Sequence, residues 1–126
     1  MSFRLVGLAA ATTLALAVPV QAHHSHAMYT DGDDMINLGG AVSEVHWTNP
    51  HVWLYLDVAD EQGQTSTWAL EGGSITALTR GGWSRDSIEV GDDITVRCRA
   101  LRNGSAGCLL GFVTSINGAE TDKEFD

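Results

Sequence analysis

Apolar residues recur at every second position on either side of the tripeptide Thr48-Asn49-Pro50. Val45, Val52, Leu54, Leu56 and Val58 fall in one phase, and Glu44, His46, His51, Trp53 and Tyr55 in the other. A period of two is that of a half-buried β-strand, because successive side chains point to opposite faces. The tripeptide then reads as the turn between two antiparallel strands. A symmetric closure about Thr48-Asn49 would set His46 opposite His51 and Glu44 opposite Trp53. Val45 and Val52 would meet on the buried face, and a one-residue slip would bury an imidazole.

The rest of the chain continues in kind. Asp60-Glu61-Gln62-Gly63 reads as a turn into a third strand over residues 64–70. Glu71-Gly72-Gly73 breaks the alternation, and Ser74 can cap a short helix that ends at Gly81-Gly82. Further strands are expected over 94–101 and 109–116. Three strands, a short helix and two strands follow the order of an OB-fold. The expected class is therefore mainly β, a small five-stranded OB-fold-like Greek-key barrel with one short helix. Its span is 35–118, preceded by a histidine-rich arm over 23–34 and followed by an acidic tail over 119–126 expected to be disordered.

Residues 1–22 have the pattern of a secretory signal peptide. Arg4 supplies the positive start, an apolar stretch follows, and Val20-Gln21-Ala22 suits a signal peptidase. The apolar stretch falls short of the ~20 residues that span a bilayer, so no membrane insertion is expected after cleavage behind Ala22. Roughly 100 residues would remain, enough for one small domain. The formal net charge is −9, and losing Arg4 makes it more negative. Such a balance disfavours nucleic acid and anionic membranes and favours cationic ligands, metal ions included. In an oxidising compartment Cys98 and Cys108 are expected to form a disulfide across a hairpin.

All five histidines lie between positions 23 and 51. Cleavage after Ala22 would place the free amine and the imidazole of His23 in one residue, which makes a chelate. His24, His26, His46 and His51 add imidazoles, and Met28 a thioether. Nitrogen ligands of this kind suit Cu(II), a thioether favours Cu(I), and zinc is possible by ligand type. No catalytic set stands out. Ser25 between two histidines is not a triad, and nothing makes Glu44 and Asp57 converge as an acid–base pair. Binding is expected rather than catalysis.

The start His23-His24-Ser25-His26-Ala27-Met28-Tyr29, the block Val45-His46-Trp47-Thr48-Asn49-Pro50-His51 and the run Gly81-Gly82-Trp83-Ser84-Arg85-Asp86-Ser87 occur together. In these the chain resembles a family of small exported bacterial proteins of unknown function, which share a mature His-His-Ser start and a Trp-Thr-Asn-Pro-His turn. The resemblance implies a Gram-negative periplasmic location and a compact β-barrel-like fold, and brings no activity with it. The chain departs from the family pattern at His26 and His46, so His23, His24 and His51 are the stronger ligand candidates. In outline it is also similar to small periplasmic OB-fold copper chaperones, without their Met-rich motif. The expected function is a periplasmic metal-binding protein, with copper as the metal, for storage, delivery or resistance. The alternatives are a non-enzymatic module that binds another periplasmic protein and an accessory subunit of a periplasmic redox system.

Overall fold

The computed structural model describes residues 26–126. A single 3₁₀ turn, His26–Met28, leads into β1 (Met35–His46), β2 (Trp53–Ala59) and β3 (Thr65–Glu71). Next come α1 (Ile75–Arg80), β4 (Asp93–Ala100), β5 (Gly107–Ile116) and β6 (Ala119–Glu124). The class is mainly β with one short helix, as the alternation predicts. The strands form one sheet in the order β3-β2-β1-β4-β5-β6, and β3 also pairs in parallel with β5. Those pairings close a ring through β1, β2, β3, β5 and β4. Among the described residues no helix is long and apolar enough to cross a membrane.

β1 is shared between two neighbours. Its first half pairs with β4 and its second half with β2, and the exchange falls at Ala41. Gly40 stands at this crossing for a steric reason: a Cβ there would come 2.1 Å from the Asp57 carbonyl oxygen. One side of the sheet carries Val42, Leu54, Leu56, Leu70, Ile94, Val96, Leu110 and Val113 into a single core. α1 adds Leu78, capped by Ser74, whose hydroxyl accepts from the Ala77 N–H. The Cys98–Cys108 disulfide lies within that core and joins β4 to β5.

Two expectations are corrected. The first hairpin does not close about Thr48-Asn49. His46 lies opposite Trp53 and Glu44 opposite Tyr55, a register two residues away. Residues 47–52 form a longer connection instead. Val52 exchanges backbone hydrogen bonds with Gly73 and Gly72, and Asn49 Oδ1 accepts from the Ile75 N–H. The connection is thus held by the start of α1 rather than by its own turn. A two-residue shift preserves side-chain parity, so the two faces stay as expected.

The second correction concerns residues 119–126: Ala119–Glu124 form β6 and Phe125 follows it into the core, in place of a disordered tail. Asn117 and Gly118 take positive φ of 49° and 81°, the geometry of a two-residue hairpin turn. Glu120 and Glu124 stay exposed, while Phe125 is buried against the Trp83 ring, with centroids 4.9 Å apart. Lys123 lies over the same indole, whose N–H donates to the Glu124 carbonyl. Acidic composition signals disorder only where nothing apolar is available for burial. Here one phenylalanine and one turn are sufficient to recruit the segment.

Candidate functional site

Of the six expected metal ligands, His23 and His24 lie outside the described residues, as does the expected signal peptide. His26 and Met28 occupy the 3₁₀ turn, and Met28 is 58% exposed. The arm beyond them is fastened to the end of β4. Tyr29 bridges Leu101, Thr30 N–H donates to the Ala100 carbonyl, and Arg102 N–H donates to the Met28 carbonyl. The Arg102 side chain reaches the Ala27 carbonyl and the Asp31 carboxylate.

Tyr29 is buried, 4% exposed, and its hydroxyl donates to Glu71 Oε2 at 2.5 Å. Burial raises the phenol above its ordinary range, and the hydrogen bond and negative charge of Glu71 raise it further. The other oxygen of Glu71 lies 3.6 Å from His51 Nδ1. The shorter contact of that nitrogen is the Gly72 carbonyl, at 2.9 Å. A carbonyl only accepts, so Nδ1 carries the proton, and Nε2 is the basic nitrogen of the neutral ring. Tyr29, Glu71 and His51 therefore connect the arm, the end of β3 and the loop before β2.

His46 belongs to a different place. Its Nε2 meets Glu44 Oε2 at 2.8 Å on an exposed part of β1, and its ring centroid is 5.0 Å from that of Tyr55. It is not the cross-strand partner of His51, as the symmetric hairpin required. Among the described residues no group of three or more His, Cys, Asp or Glu side chains is placed to hold a metal ion. Tyr29 and Glu71 were not among the expected site residues. Tyr29 is the one aromatic in a polar arm, and Glu71 is the last residue before Gly72-Gly73. Those were the signals available for them.

Cys98 and Cys108 are bonded as expected, and both are buried in the core. No curated protein and no solved structure matches the chain. A family model matches residues 11–110, which is most of the chain, and the protein belongs to that family, the family of unknown function DUF6152.

Proposed function

We propose that this is a periplasmic, non-enzymatic metal-binding protein that holds copper for storage, delivery or resistance. The observation that supports this reading is the orientation of His51. Metal-binding histidines characteristically donate one ring N–H to a carboxylate or backbone carbonyl, which fixes the tautomer and aims the other nitrogen. His51 has that arrangement, with Gly72 as acceptor and Glu71 beside it.

The arm carries the other ligands. Tyr29, hydrogen-bonded to Glu71, anchors it at the same place. Residues 23–28 lie within six positions of that anchor, a reach of at most about 20 Å for extended chain. His23, with its amine and ring, and His24 join His51 in the proposed set, and His26 and Met28 are the further candidates. His46, paired with Glu44, stays outside it. Nitrogen donors in this number favour Cu(II) over Zn(II) in the usual order of affinities.

Cu(II) titration of three proteins tests this reading: the chain starting at His23, the same chain extended by one glycine, and the His51→Ala variant. The extension converts the amine into a peptide nitrogen, and the substitution removes the anchored ring. Each change is expected to weaken binding by about tenfold or more. Affinity should also fall as pH drops below about 6.5, where imidazoles protonate. Equal affinity in all three proteins would overturn the proposal.

A further inference from the structure

The outer face of the sheet carries two arginines two positions apart on β4 with opposite fates. Arg97 is satisfied: its guanidinium lies 4.4 Å over the Phe112 ring and 3.2 Å from Asp122. Arg99 is half-buried, and among the described residues its guanidinium has no hydrogen-bond or ion-pair partner. It lines a cleft of about 280 Å³.

The register explains the cleft. Met35, Arg99 and Leu109 stand opposite one another on β1, β4 and β5, so their side chains share a face. Arg97, Phe112 and Glu124 form the next row on β4, β5 and β6. Between the rows the β4–β5 register shifts, leaving Gly111 as an extra residue on β5. A bulge of this type spreads the neighbouring side chains and is frequent beside binding sites. With no side chain, Gly111 leaves the space open; a Cβ there would stand 2.9 Å from the Met35 methyl carbon.

Met35, Leu109 and Phe112 supply apolar lining, and two acidic residues, Glu124 and Asp126, border the same cleft. A simple anion would suit Arg99 but meet those carboxylates, and a simple cation would meet Arg99. We propose that the cleft binds a small zwitterion, an α-amino acid with an apolar side chain. Its carboxylate would take the planar fork of Arg99, its ammonium would face Glu124 and Asp126, and its side chain would lie on the apolar wall. The volume is near the lower limit of about 300 Å³ for small-molecule sites, which suits one amino acid rather than a peptide.

The test is calorimetric titration of the exported chain with L-leucine, 4-methylpentanoate and 3-methylbutylamine. Leucine is expected to bind with a Kd of about 1 mM or tighter, and each single-charge analogue about tenfold more weakly. Arg99→Gln should lower leucine affinity by about tenfold at unchanged Tm. Gly111→Ala should lower it by pushing the Met35 methyl into the cleft. Glu124→Gln should weaken leucine binding while strengthening that of 4-methylpentanoate. The indole of Trp83 bonds to the backbone of Glu124, so this substitution leaves that anchor in place. No leucine binding, binding unaffected by Arg99→Gln, or a carboxylate analogue that equals leucine would each overturn the proposal.

Discussion

The phenol of Tyr29 donates to the carboxylate of Glu71 at 2.5 Å, across 42 positions of sequence. Through this bond an arm of polar composition is tied to the end of β3, beside His51. Tyr29 and Leu109 are both buried yet lie outside the main core cluster, and Leu109 pairs with Glu71 across β5 and β3.

Tyr29→Phe removes a hydrogen bond to a charged acceptor and leaves Glu71, still largely buried, without that donor. A loss of about 1.5–3 kcal/mol is expected for such a bond. Urea unfolding measures it, and faster amide exchange at Thr30 and Arg102 would place the effect in the arm. If the arm contributes no stability, the two proteins will unfold at the same urea concentration.

The same residue sets an alkaline limit. The folded protein keeps the Tyr29 proton at pH values where the unfolded chain has released it. Stability from this group is therefore complete below the ordinary tyrosine value of about 10 and is lost as pH rises above it. Tyrosinate absorbance should show one of the two tyrosines ionising only as the arm detaches or the protein unfolds. Tyr29→Phe should remove the corresponding slope in stability against pH.

Replacing Cys98 and Cys108 together by alanine opens a loop with a sequence separation of 10. Chain-entropy arguments put the loss near 3 kcal/mol for a loop of this size. Thermal unfolding of oxidised and variant proteins checks the figure. In the native oxidised protein neither residue should react with alkylating agents.

Phe125→Ala should cost about 3–5 kcal/mol, the range for removing a buried aromatic ring. Amides of β6 should be protected from exchange in the native protein and lose that protection in the variant. A truly disordered tail would give neither result.

Asp92 provides a local pH marker. The Glu89 N–H, and then the Asn117 side chain, hold its carboxylate below the ordinary range. A depressed folded value means that its stabilising contribution is present above the unfolded value of about 3.9 and is lost as pH falls through the acid range. Asn117→Gly, which retains the positive-φ turn, should move the Asp92 titration upward when followed by NMR.

Local pattern was sufficient for much of this fold. Alternation placed Val52, Leu54 and Leu56 inside, Ser74 and Gly81 bounded the helix, and two cysteines in neighbouring strands implied their bond. Each of these depends on residues close in sequence or on a period of two, so no distant partner is needed to read it. The register of β1 against β2, the recruitment of β6 and the Tyr29–Glu71–His51 connection depend on distant partners. Asn49 is held by the start of α1, Phe125 finds Trp83, and Tyr29 finds Glu71, each from far along the chain. A histidine's identity was legible in the sequence. Which carboxylate stands beside it, Glu44 for His46 or Glu71 for His51, was decided only when the strands paired and brought those groups within reach.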